Sequence, residues 1–206
     1  LEAVASKVNA DAVAEGQPDP AYVAYLEEGN DIGGIDSGFL VKSSRLTVVD
    51  VVQVNKNETY INPNTGLPEL LNDRPPLVVR AQVPVPGGAP FPITVVVNHL
   101  RSLNGVDDVV DGRVRAKRAA QAESLARLIQ DRQAAGERVI SVGDYNAFQF
   151  SDGYVDSLGA ITGNPAPADQ VVLATADLVE PNLTNLVNTL PAEERYSYSF
   201  DGNAQV

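Results

Sequence analysis

The sequence predicts a fold of mixed α and β class, on three observations. Several short runs are rich in β-branched residues and bounded by turn-formers, residues 77–85 and 93–99 most strongly. One long stretch, residues 114–134, keeps an apolar stripe at helical spacing. No linker, internal repeat or low-complexity run interrupts the chain, so residues 1–206 read as one domain.

In chain order, residues 1–16 carry Leu1, Val4, Val8 and Val13 at roughly helical spacing, which predicts a helix. Residues 21–26 (AYVAYL) are a short strand candidate. Residues 35–42 and 45–54 are two more, joined by the turn-like Lys42-Ser43-Ser44. Residues 55–73 are polar and centre on Asn62-Pro63-Asn64-Thr65-Gly66, so a long loop is expected. The two strongest strands then form a β-hairpin through Pro86-Gly87-Gly88-Ala89-Pro90. Residues 101–112 are a loop containing Asp107, Asp108 and Asp111. In the helix, Ala119, Ala122, Leu125, Leu128 and Ile129 share one face, and Gly136 stops it. Residues 138–142 read as a buried strand, 152–160 as a short helix, 163–170 as a loop and 183–190 as a short helical piece. Residues 196–200 read as a last strand, and a further element is expected to begin at Val206.

Composition narrows the chemistry. With 206 residues, 44% of them apolar, the chain can bury a sizeable core. No run approaches ~18 apolar residues, so no transmembrane helix is expected. The absence of Cys excludes disulfides, a thiolate nucleophile and Cys-ligated zinc, and a single His excludes a multi-histidine metal site. A bound metal would be held mainly by oxygen, which favours Mg²⁺, Mn²⁺ or Ca²⁺. The net charge of −12 argues against a broad basic nucleic-acid surface. It leaves a nuclease open, because a metal site is itself a cluster of carboxylates. The chain starts at Leu1 and contains no Met, so it reads as a processed chain or a fragment, and the lack of a signal peptide says nothing about secretion.

Two apolar strands each end in a polar cluster. VVVNHLRS ends at Asn98-His99-Leu100-Arg101-Ser102, and VISVGDYNAF at Gly143-Asp144-Tyr145-Asn146. A rigid strand fixes groups at its end, and the period of two puts Asp144 and Asn146 on one side if the strand stays extended. That pair offers a carboxylate and an amide to a phosphate or a hydrated cation, and His99 could protonate a leaving oxygen. Alone, His99 would more often be a satisfied structural histidine, and Asp144 and Asn146 turn residues. Arg74, before Pro75-Pro76, reads equally as a solvated arginine or a phosphate contact. Arg113, Arg115, Lys117 and Arg118 could track a phosphate backbone. The preferred reading is a solvated helix face balanced by Asp107, Asp108 and Asp111.

These residues resemble the endonuclease/exonuclease/phosphatase (deoxyribonuclease-like) superfamily, in particular its bacterial extracellular nuclease-like branch. The matches come in the family's order. Asn72-Asp73-Arg74-Pro75-Pro76-Leu77 resembles its Arg-x-Pro-led strand. Residues 98–102 resemble His-Leu-Lys-Ser with Arg101 for Lys, and residues 115–125 the Arg-x-x-x-Ala-x-x-Leu helix. Residues 143–147 resemble Gly-Asp-Phe-Asn-Ala with Tyr145 for Phe, and residues 196–202 the Tyr-Ser-Tyr-x-Phe-Asp-Gly strand.

The resemblance implies an α+β, four-layer αββα sandwich: two mainly antiparallel sheets face to face, helices outside. It implies that His99 bonds to the scissile phosphate and assists the leaving oxygen. Asp144 would orient the attacking water and lie close to the metal, and Asn146 would hold a phosphate oxygen. Arg74 and Asn98 would contact substrate phosphate. Asp36 would be the acidic partner of His99, though its own surroundings read as a turn. The activity implied is phosphodiester hydrolysis dependent on Mg²⁺ (or Mn²⁺/Ca²⁺), with nucleic acid as substrate and an extracellular setting. The alternatives are a lipid or inositol phosphate substrate, and a catalytically dead binding module of the same fold. Family members also carry an Asn and a metal-binding Glu on earlier strands and a terminal Asp–His pair, which have no counterpart in this sequence. The chain is therefore expected to be the central part of one catalytic domain, inactive alone, with exposed sheet edges prone to self-association.

Overall fold

The computed structural model describes residues 1–195 and the strand segments Tyr198–Phe200 and Asn203–Gln205. The fold is mixed α+β. Its elements run α1 (Glu2–Ala14), β1 (Tyr22–Leu26), β2 (Gly38–Lys42), β3 (Thr47–Gln53), β4 (Thr59–Ile61), β5 (Pro68–Leu70), β6 (Leu77–Val83) and β7 (Phe91–His99). Then come α2 (Arg113–Ala134), β8 (Val139–Asp144), α3 (Ser157–Thr162), β9 (Tyr198–Phe200) and β10 (Asn203–Gln205). The chain divides into two compact units. One comprises residues 1–56, 74–98 and 135–143, the other residues 57–73, 99–134 and 144–206.

The first unit is built on a four-stranded sheet in the order β3-β6-β7-β8. The predicted β6–β7 hairpin forms, antiparallel, with Leu77 opposite Val97 and Val83 opposite Phe91. Leu77, Val78 and Val79 are all buried, so central strand β6 is covered on both faces and the alternation expected of a half-exposed strand is lost. β3 pairs with β6 through a bulge between Val48 and Asp50. The 42–44 turn is present, but the strands it joins go to different sheets, because β2 pairs with β1. β8 carries its chain in the same direction as β7: the Thr94 amide donates to the Arg138 carbonyl (2.9 Å) and the Leu100 amide, six residues on, to that of Asp144 (2.9 Å). The connection contains α2, as parallel neighbours require a crossover. β8 was expected to be buried and is not. Among the described residues it is an edge strand with a neighbour on one side only, and Ile140 and Val142 stay exposed.

α1 forms where its spacing predicts, but its apolar stripe stays largely at the surface. Leu1, Val4, Val8 and Val13 are exposed and Ala5 is buried. The helix is anchored instead by Asn9, whose side chain donates to the Tyr22 carbonyl (3.0 Å) and accepts from the Tyr22 amide (2.8 Å).

In the second unit α2 spans the predicted helix, and α3 packs against it. Residues 55–73 are not simply a loop: β4 and β5 pair antiparallel across the Asn62–Gly66 turn. Gly66 (φ 69°) donates to the Asn62 carbonyl, and the Asn62 side chain accepts from the Asn64 amide, so the turn residues close a short hairpin. α3 starts later than predicted, because Asp156 caps it. Its Oδ1 accepts from the Gly159 amide (3.0 Å) and its Oδ2 from the Ala166 amide (2.9 Å). Asp156→Ala is expected to cost about 1–2 kcal/mol, read as a lower urea midpoint at unchanged m-value. The last predicted strand appears as β9, paired with β10. Tyr196, Ser197, Asp201, Gly202 and Val206 lie outside the described residues.

Candidate active site

The two polar strand ends do come together. His99 is the last residue of β7 and Asp144 the last of β8, and both belong to the second unit. His99 Nε2 lies 3.5 Å from Asp144 Oδ2, with the side chains 26% and 57% exposed, so the pair is open to a ligand. When protonated, His99 can donate a charge-assisted hydrogen bond to Asp144 or to a bound oxyanion.

The expectation of an extended strand through Asn146 is corrected. The strand ends at Asp144, and Asn146 adopts φ 46°, a left-handed conformation that asparagine tolerates better than most residues. The two side chains are brought together by a turn rather than by alternation. Asp144 Oδ1 accepts from the Asn146 amide (2.9 Å), and Asn146 Nδ2 donates to the Leu100 carbonyl (3.0 Å). Asn146 therefore ties the turn after β8 to the segment after His99.

The remaining predicted residues lie in the first unit. Asn98 is buried at 1% exposure, and its Nδ2 donates to the Val142 carbonyl (2.8 Å) across to β8. Arg74 is not a solvated arginine: its side chain is 12% exposed, with Nη1 3.8 Å from Asp31 Oδ2. Asp36 Oδ1 accepts from the Gly29 amide (2.6 Å), closing its own loop. Gly143, at φ 136°, packs so tightly against Asn98 that a Cβ there would clash with the Asn98 carbonyl oxygen.

The basic run on α2 is corrected as well. Only its start matches the solvated, acid-balanced reading, with Arg113 Nε 4.0 Å from Asp111 Oδ2. Lys117 and Arg118 are buried. Lys117 Nζ pairs with Asp73 (2.9 Å). Arg118 donates to the Arg101 carbonyl (2.5 Å), to Asp152 (3.4 Å) and to the Ser157 hydroxyl (3.4 Å). Burial pushes the Arg118 guanidinium below its usual pKa, and Asp152 beside it acts in the opposite direction. Arg118 and buried Gln121 had a signal in the sequence. They fall in the same helical stripe as Val114, Ala122 and Leu125, and a polar residue in an apolar stripe has a buried partner to find.

Among the described residues no three His, Asp or Glu side chains gather into a set that could hold a metal ion. Asp144 supplies one carboxylate, and Asn146, bonded to Leu100 through Nδ2, its amide oxygen, so these residues alone fall short of the set of oxygen ligands that a resident divalent cation takes. No helix among the described residues is long and apolar enough to cross a membrane.

Fold and site thus define a mixed α+β protein with a histidine–carboxylate pair at the ends of two adjacent parallel strands. No protein-family model matches the chain, and no curated protein matches it. Among solved structures it is similar to ANGEL2, a 2',3'-cyclic phosphatase, with 17% identity and a TM-score of 0.35 over 73% of this chain and 38% of that one. For ANGEL2 in complex with adenosine-2',3'-vanadate the identity is 16% and the TM-score 0.37, over 98% of this chain and 52% of that one. The chain therefore spans about half or less of the length of these proteins.

Proposed function

We propose that this chain carries part of the active site of a phosphodiester hydrolase of the deoxyribonuclease-like class, with nucleic acid as its substrate. The observation that supports this most is the His99–Asp144 pair at 3.5 Å, formed by two strand-end motifs that each resemble that class. In this reading Asp144 orients the water that attacks phosphorus, and protonated His99 gives its proton to the leaving oxygen as that oxygen's bond to phosphorus breaks. Asn146 keeps the two strand ends in register through Leu100. Arg74 and Asn98 are the further phosphate contacts proposed by resemblance, and the four-layer sandwich goes with the same reading. The cation expected with this class, Mg²⁺ (or Mn²⁺/Ca²⁺), has Asp144 as its one candidate carboxylate here, and its binding depends on oxygen ligands beyond those the described residues gather.

The test is turnover of plasmid DNA by the protein that carries this chain, with and without chelator, against a panel of inositol and lipid phosphates. His99→Ala is expected to lower plasmid cleavage about 10²–10⁴-fold. Cleavage unchanged in that variant would overturn the reading. Turnover of the inositol or lipid phosphates alone would move the substrate class and leave the His99 role standing.

A further inference from the structure

We infer that Gln121, with Arg118 beside it on α2, is a positioning residue for His99. The role of His99 itself rests on the function proposed above. The peptide groups that follow His99 are held one after another. The Leu100 amide donates to the Asp144 carbonyl (2.9 Å), and the Leu100 carbonyl accepts from Asn146 Nδ2 (3.0 Å). The Arg101 amide donates to Gln121 Oε1 (2.8 Å), and the Arg101 carbonyl accepts from Arg118 Nη1 (2.5 Å). Two successive residues thus have both backbone polar groups engaged immediately after the histidine.

The two helix residues are themselves immobilised. Gln121 is 3% and Arg118 1% exposed. Gln121 uses its other end to donate to the Leu71 carbonyl (2.9 Å), so its amide is fixed at both ends. A loop satisfied by water would leave Leu100 and Arg101 free to shift. A loop satisfied from a rigid helix face is not free, because moving it strands buried polar groups without partners. His99 closes β7 on one side and enters this clamp on the other. The backbone that follows His99 is thereby pinned, and the imidazole is held where it meets Asp144.

The same bonds could serve only to satisfy a buried loop, and the single histidine of the chain separates the two cases. The measurement is the imidazole Cε1–Hε1 NMR cross-peak of His99 at one pH, recorded with amide exchange at Arg101. In Gln121→Met, which removes the acceptor, Arg101 exchange is expected to speed about tenfold, the scale of one lost hydrogen bond. The His99 cross-peak is expected to move or split by more than its linewidth. If Gln121→Met does not fold, Gln121→Asn, one methylene too short to reach, carries the same expectation. Faster Arg101 exchange with an unmoved His99 peak would overturn the inference. The readout needs no turnover, so if the protein that carries this chain is inactive on phosphodiesters while the His99 peak still follows Gln121, the functional reading fails and the clamp stands.

Discussion

Gly143→Ala is expected to unfold the first unit or bring it close to unfolding. The added Cβ would stand 2.0 Å from the Asn98 carbonyl oxygen and 2.8 Å from its amide nitrogen, both backbone atoms that cannot rotate away. The native φ of 136° is a conformation that residues with a Cβ rarely adopt. Strain and clash together put the cost at about 3 kcal/mol or more. Gly153→Ala is the control. Its φ is 80°, but nothing lies within 4 Å of the added atom, so only the backbone strain remains, about 1 kcal/mol. Urea unfolding of the two variants measures the difference, and equal midpoints would show that the close approach of β7 and β8 does not limit stability. The physical reason for a glycine before Asp144 is therefore steric: Gly143 approaches the Asn98 backbone so closely that no side chain fits.

The second large effect is expected at Asp152. Its Oδ1 accepts from the amides of Tyr154 (2.8 Å) and Val155 (2.7 Å), and its Oδ2 faces Arg118 Nη2 at 3.4 Å. Both side chains are almost fully buried, at 6% and 1%. Asp152→Asn keeps the oxygen for the two amides and removes the charge. It leaves the Arg118 guanidinium buried against neutral partners, which costs about 3–5 kcal/mol. The exposed pair Asp50–Arg80, bidentate at 2.7 Å, is the contrast. Water screens it, so Asp50→Asn is expected to move the unfolding midpoint far less. A shift for Asp152→Asn no larger than that for Asp50→Asn would refute the claim that Arg118 is held by a buried ion pair. The variant also bears on the site, since Arg118 holds the Arg101 carbonyl and Asp152 is its charged partner.

Strand-end chemistry was legible in the sequence. The apolar runs into Asn98-His99 and Gly143-Asp144 identify two strands and the polar groups they deliver, because β-branched runs and turn residues act locally. The 3.5 Å meeting of His99 and Asp144 was not legible, since it depends on β8 lying parallel to β7, a pairing between residues more than forty positions apart. The helix over residues 114–134 was clear from its period. That Lys117 and Arg118 lie inside was not, because a basic run reads as solvated until partners such as Asp73 and Asp152 are brought to it. Asp36, which the resemblance offers as the acidic partner of His99, accepts from the Gly29 amide in its own loop, a local bond that its turn-like surroundings announced.

The sequence by itself determined the mixed class, the β6–β7 hairpin, the long helix and the identity of the strand-end residues. All of these follow from periodicity and turn chemistry within a short window. Only the tertiary structure decided that the valines of α1 stay exposed, that β8 is an edge, and that Gln121 and Arg118 reach the backbone after His99. Burial and hydrogen-bond satisfaction are settled between distant segments. A polar side chain on a helix becomes a clamp only when the fold brings an unsatisfied peptide group within its reach.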